Sequence, residues 1–181
     1  MLFRSFNTQK EPFDNPDVRQ ALSISIDRRT IVDLVSKGGE IPAYSMTPPG
    51  FYLSDGADFN TLFKDHLIDP NSAKINEAKR LLAKAGYPDG ENFPVVELLF
   101  NTSESHKLLA EAIQQMWQQN LNIQVKLVSQ EFAVFQENKT LGNYAIARGN
   151  WFADYPDPMT MLDIWTSNST INTTGDRKSV V

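Results

Sequence analysis

The sequence predicts an α/β fold, with a β-α-β-α-β core and additional N-terminal helices. Three observations predict it. From Val95 to Arg148, strand-like runs alternate with helix-like ones. Two cap signatures, Asn15-Pro16 and Asp69-Pro70, announce helices ahead of that core. An aromatic ring and a lone carboxylate, Trp151 and Asp154, follow directly on the last strand-like run. In α/β sheets, ligands bind where strands give way to loops.

Met1-Leu2-Phe3-Arg4-Ser5 reads as strand, not signal peptide, because it lacks a charged leader and an apolar stretch. Asn15 caps a first helix with Pro16 at its first position, and Val18, Ala21, Leu22, Ser25 and Ile26 repeat at helical spacing. Asp27 caps a second helix, with Ile31, Leu34 and Val35 as its buried stripe and Gly38-Gly39 as its stop. From Glu40 to Leu67 the prolines and glycines break any regular element, and a loop of that length is expected to wrap a neighbour. A helix follows from Ser72 to Ala85, facing inward through Ile75, Ala78, Leu81 and Leu82, and Gly86 closes it.

The alternating core comes next. Val95–Phe100 is a strand, and Ser103 caps a helix with Leu108, Leu109, Ala112, Ile113, Met116 and Trp117 on one face. Ile123–Val128 alternates as a half-buried strand. Phe132–Leu141 is a short helix, Tyr144–Arg148 a third strand, and Thr160–Trp165 a short apolar helix. Parallel strands with right-handed crossovers would gather Asn101–His106, Gln130–Phe132 and Arg148–Asp154 on one rim.

The chain has 181 residues, enough to bury about 70% of its unfolded surface. Net charge is −5, with 17 basic residues scattered among 22 acids, which argues against nucleic acid. The absence of cysteine excludes disulfides, thiolate metal sites and a cysteine nucleophile. No run approaches the ~20 apolar residues of a membrane span. Gly175–Val181 carries no periodic pattern and is expected to be a disordered or appended tail on a domain of residues 1–174.

An acid beside an aromatic wall suits the gripping of an ammonium group, which points to Asp154 and Trp151. Read alone, Asp154 serves equally well as a turn cap, and Trp151 as a ring closing the core. Asp157 reads as a cap, Asp163 as a solvated helix position, and Trp117 and Trp165 as core. His66 has no partner at metal spacing, so no metal site or cofactor is expected. A hydrolase built on Glu131 and Asp154 is an alternative, but the chain has no Gly-x-Ser-x-Gly elbow, no His-Glu-x-x-His and no phosphate loop. A third reading makes the proline-rich Thr47–Leu53 segment a protein-contact strip.

Several separated motifs carry a resemblance. Phe6–Leu22, Ile26-Asp27-Arg28, Ala78–Tyr87 and Trp151–Tyr155, in that order, resemble the C-terminal lobe of the family 5 extracellular solute-binding proteins, over roughly residues 3 to 170. The resemblance implies one lobe of a two-lobed periplasmic binding protein fold of class II type, a fragment of a longer protein. It implies no catalysis. It implies uptake of an oligopeptide, or another small solute, with an N-terminal lobe and ABC transporter permease subunits as partners. The parent would be periplasmic or lipid-anchored and extracellular.

By position, Asp154 matches the carboxylate that pairs with the ligand's α-ammonium, and Trp151 an aromatic beside the side-chain pockets. The backbone around Asn150 and Phe152 would pair with the peptide as an added strand. Arg148 and His106 match positive groups that meet a peptide carboxylate, and Phe132 another aromatic wall. Read without the resemblance, Arg148 is equally a structural ion-pair partner and His106 a surface residue. The chain departs from the pattern at Gly149-Asn150, where relatives place the glycine next to the tryptophan, and at Phe152, where some carry cysteine.

Overall fold

The computed structural model describes residues 2–66 and 68–175. The expected tail therefore lies outside the described residues beyond Gly175, as do Met1 and the side chain of His66. The elements are β1 (Leu2–Phe6), α1 (Pro16–Ile24), α2 (Arg28–Thr30), α3 (Ile75–Lys84), β2 (Val96–Asn101), α4 (Glu104–Leu121), β3 (Val125–Gln130), α5 (Phe132–Thr140), β4 (Ile146–Asn150) and α6 (Met159–Leu162). They build one four-stranded sheet in the order β1-β4-β2-β3. β2 is parallel to both β3 and β4, and β1 is antiparallel to β4.

β2 is the central strand, and its Val96, Leu98, Leu99 and Phe100 are all buried, as a strand covered on both faces must be. Alternation divides them. Leu98 and Phe100 face the main core with Phe13, Leu22, Leu82, Trp117 and Ile146. Leu99 faces a smaller cluster with Phe135, Tyr144 and Ala147. α4 covers the first face through Ala110, Ile113, Trp117 and Leu121, one stripe at helical spacing. Trp117 is fully buried and donates its indole N–H to the Leu22 carbonyl at 2.9 Å, joining α4 to the end of α1.

Two caps act as the sequence implies, whereas Ser103 precedes α4 as expected but makes no capping bond, its Oγ lying 3.0 Å from Ser105 Oγ. The Asn15 side chain accepts from the Asp17 N–H at 2.9 Å, and Asp27 accepts from Thr30 at 2.9 Å. After Thr30 the chain departs from expectation. Ile31–Ser36 is a π-helical segment, closed by a Lys37 N–H to Val32 carbonyl bond at 3.0 Å. The wider turn breaks the predicted stripe: none of Ile31, Leu34 and Val35 is buried, and Leu34 is 67% exposed. Lys37, in the left-handed region at φ 53°, ends the segment in place of Gly38-Gly39.

The third helix starts at Ile75 and not at Ser72. Asp69 spends its carboxylate on the Asn71 N–H at 2.9 Å. The Lys74 N–H bonds to the Ile24 carbonyl at 2.9 Å, holding the entry to α3 against the end of α1. Strands β3 and β4 each begin two residues later than the patterning suggests. Asn122 turns left-handed at φ 56°, and the Ile123 N–H closes on the Trp117 carbonyl, so the chain leaves α4 before it can pair. Leu108, expected on the inner stripe, is 44% exposed in the turn nearest the sheet rim.

The 40–66 segment is organised by its own polar groups. Ser45 Oγ lies 2.6 Å from Asn60 Oδ1, and Asn60 Nδ2 donates to the Thr47 carbonyl at 3.1 Å, with Asn60 and Thr47 both buried. Tyr52 bridges Asp58.

Trp117→Phe keeps the aromatic bulk but leaves the Leu22 carbonyl without its donor in a buried site. The expected loss is about 1–3 kcal/mol in a urea unfolding titration. Leu34→Ala in the same titration should change stability by less than about 0.5 kcal/mol.

Candidate ligand-binding site

The three segments expected to share a rim do meet there. The Thr102 N–H donates to the Gln130 carbonyl at 2.8 Å, tying the end of β2 to the end of β3. Arg148 Nη1 donates to Asn101 Oδ1 at 3.4 Å, and His106 Nδ1 lies 3.3 Å from the Asn101 carbonyl. Asn101 thus brings β4 and the first turn of α4 together at the carboxyl edge of the sheet.

Beyond β4 the loop is fixed by one residue that periodicity does not single out. Thr160, buried at the start of α6, takes the Trp151 indole N–H on its carbonyl at 2.7 Å. Its hydroxyl accepts the Asp154 backbone N–H at 2.8 Å. Asp157 caps the same turn, accepting from the Met159 N–H at 2.8 Å. The loop backbone is therefore held while the Asp154 side chain remains exposed, with no ion pair to it among the described residues. Phe152 is 75% exposed and Phe132 55% exposed, so two unburied rings stand on the same rim.

A cleft of about 160 Å³ opens beside this loop between β1, β4, α5 and the 164–173 stretch. Phe132, Arg148, Asn150 and Trp151 line it, together with Phe3, Phe135, Lys139 and Trp165. Asp154, Phe152 and His106 are not among its lining residues. Trp165 is a correction. Expected as core, it is half-buried, lines the cleft and packs edge-on against Phe3 with centroids 5.2 Å apart. Its helix is only a single α-turn followed by a 3-10 turn, too short to bury a full stripe. Phe3, Lys139, Trp165 and Thr160 were not read as site residues. Chain position alone gave no signal for the first three, because each reaches the cleft from an element distant in sequence.

β4 is an interior strand, and Asn150 already pairs with Leu2. Room for an added strand begins at Trp151–Ala153, past the last rung of the ladder. The unusual order Gly149-Asn150 has a steric cause. Gly149 pairs with Phe3, and a β-carbon there would run into the Phe3 ring.

The electrostatics are one-sided. Arg4 stands directly opposite Arg148 in the β1–β4 register, so both lie on the same face of the sheet. Burial, and then the Arg148 charge, pull the Arg4 pKa down to about 10. Burial lowers Arg148 as well. Lys139 is lowered by burial and by Arg148. His106 is pushed below its ordinary value by burial, then by Arg148, with a smaller contribution from Arg4, against the raising effect of its contact with Asn101. Glu131, the proposed partner of Asp154 in a hydrolase, spends its carboxylate capping α5, accepting from Ala133 at 2.8 Å and Val134 at 3.4 Å.

An open α/β sheet with its exposed carboxylate, aromatic rings and cations gathered at the carboxyl edge of parallel strands is the architecture of a small-solute binding protein. The description "Bacterial extracellular solute-binding proteins, family 5 Middle" matches residues 1–173, and the chain belongs to that family. It is 40% identical over 172 residues to the periplasmic oligopeptide-binding protein OppA of Escherichia coli (strain K12), covering 94% of this chain and 30% of that protein. It is 36% identical over 176 residues to the dipeptide-binding protein DppE of Bacillus subtilis (strain 168), covering 97% of this chain and 32% of DppE. The crystal structure of Haemophilus influenzae OppA in complex with RPPGFSPFR superposes with a TM-score of 0.78 at 33% identity, over 96% of this chain and 33% of that one. The chain thus spans about a third of the length of these relatives and has the fold of one lobe of a two-lobed binding protein. The family is one of solute-binding proteins and not of enzymes. Among the described residues no helix is long and apolar enough to cross a membrane.

Two outcomes follow from this geometry. Gly149→Ala should cost about 1–3 kcal/mol on chemical unfolding as Phe3 is displaced, and combining it with Phe3→Ala should cost less than the sum of the two. His106 should titrate below the free-imidazole value in an NMR pH titration, and Arg148→Met, by removing a nearby positive charge, should move its midpoint up.

Proposed function

We propose that this chain is a ligand-binding lobe of a periplasmic, or lipid-anchored extracellular, substrate-binding protein that takes up oligopeptides for an ABC importer. Asp154 pairs with the peptide α-ammonium. Trp151, Phe152 and Phe132 supply apolar walls. The Trp151–Ala153 backbone, continuing from Asn150, pairs with the peptide main chain and so tolerates many sequences. Arg148 meets the peptide carboxylate, and His106 joins it by taking a second proton as the bound anion raises its basicity. An N-terminal lobe of the same protein closes over the ligand, and the permease subunits receive the closed form.

The observation that carries this reading is Asp154. Its backbone N–H is pinned to Thr160 at 2.8 Å, while its side chain is exposed beside an exposed aromatic ring at the carboxyl edge of the sheet. A carboxylate that only capped its own turn would point its oxygens at nearby N–H groups, as Asp157 does toward Met159.

The test uses the full-length protein that carries this chain, purified without denaturation. Native mass spectrometry should show a ladder of adducts at peptide masses. A single non-peptide adduct would move the function to another small solute. Asp154→Ala should weaken peptide binding by a few orders of magnitude, because an unpaired buried ammonium costs about 3–5 kcal/mol. A loss under about tenfold, or about 1.4 kcal/mol, would remove Asp154 from this role.

A further inference from the structure

Among the described residues, the cations lining the cleft have no counter-charge there. Lys139 and Arg148 both line it, and no Asp or Glu does. Arg4 stands opposite Arg148 on the neighbouring strand. Among the described residues, none of the three forms an ion pair with a carboxylate. The guanidinium donors are only partly used. Arg4 Nη1 donates to the Phe3 carbonyl at 3.0 Å and Arg148 Nη1 to Asn101 at 3.4 Å. The Nε of each is sealed from solvent without an acceptor. The indole N–H of Trp165, which also lines the cleft, is likewise sealed and unmatched. Every one of these orphaned groups is a donor.

Clustering like charges in a partly buried site is costly unless an anion completes it. Lys139 carries three N–H donors on a flexible stem, and a carboxylate is the acceptor that pairs with such a group most strongly. The aromatic walls Phe3, Phe135 and Trp165 exclude water and strengthen any charge pairing inside. The peptide's terminal carboxylate accounts for one negative charge, which leaves one of the two lining cations without a partner.

We propose that this cleft selects peptides carrying an acidic side chain, with Lys139 as the residue that sets the preference. This inference rests on the peptide-binding reading and adds a substrate class to it. A carboxylate contributed by the rest of the protein is the competing occupant, and it would leave the cleft neutral and the ligand preference flat.

Calorimetric titration of the full-length protein with alanine tripeptides tests it. One residue at a time is replaced by Glu, Gln or Lys, at each of the three positions. At one position Glu should bind about tenfold or more tightly than Gln, the size of one charge-assisted hydrogen bond, and Lys more weakly than Gln. Lys139→Met should reduce the Glu-to-Gln ratio toward one. Lys139→Gln should do the same, and either variant suffices if the other fails to fold. Equal affinities for Glu and Gln at all three positions would overturn the inference and leave peptide binding standing. A Glu preference unchanged in Lys139→Met would also overturn it, because the preference would then arise elsewhere. Failure of every tripeptide and longer peptide to bind would overturn the reading on which it rests.

Discussion

β4 is hydrogen-bonded on both edges, to antiparallel β1 and to parallel β2, and the geometry of the site descends from that double pairing. Ile146, Ala147, Arg148 and Gly149 are all buried within it. Asn7, just past β1, extends the clamp by donating its side-chain amide to the Gly142 carbonyl at 2.9 Å and the Tyr144 carbonyl at 3.2 Å. The turn entering β4 is thus held as firmly as the strand. A strand fixed in this way delivers its carboxyl end to one place, and Arg148, Trp151 and Asp154 are presented from that end. Without β1, β4 would be an edge strand with an unpaired row of backbone groups, and an incoming peptide could add anywhere along it. With β1 in place, pairing is confined to the few residues beyond the ladder.

The same pairing creates the electrostatic tension. Antiparallel register sets Arg4 against Arg148, and like charges directly opposite each other destabilise a sheet. Burial and the Arg148 charge lower the basicity of Arg4 to about 10, which still leaves it charged at neutral pH, so the repulsion persists in the folded protein. This is how a binding site commonly departs from the most stable sequence for its fold.

How much of this was legible follows from which forces are local. Asn15-Pro16 announces α1 because capping is a contact between residues two apart. The β-α-β-α-β order is legible because alternation and helical spacing are properties of short windows. The rim segments could be grouped once the strands were taken as parallel, with no side-chain information. The start of α3 was not legible, since Lys74 is held by the Ile24 carbonyl, a partner far back in the chain. The π-helical Ile31–Ser36 was not legible either, because an apolar i, i+3, i+4 stripe describes an α-helix whatever bond pattern the backbone adopts. Trp165 misled for a related reason: its apolar neighbours Met161 and Ile164 are buried, whereas its own ring turns to Phe3 and the cleft. Asp154 and Trp151 are singled out by chemistry and resemblance together, but Thr160, which holds both, carries no signal a single sequence can show.

Thr160 also explains why a three-residue spacing between a ring and an acid can work as a recognition unit. Free loops of this length sample many separations, and a ligand would have to order them at its own expense. Here the Thr160 carbonyl fixes the indole and its hydroxyl fixes the backbone at Asp154, so the separation is set before any ligand arrives. Pro156 and Pro158 restrict the return path, and Asp157 secures it on Met159. Among the described residues, the Asp154 side chain forms no ion pair. In the proposed function, a preorganised acid beside exposed rings, on a loop that has already given up its entropy, would take a cationic end of a molecule and leave the rest of that molecule free to vary. That division of labour is what a protein tolerant of many sequences needs.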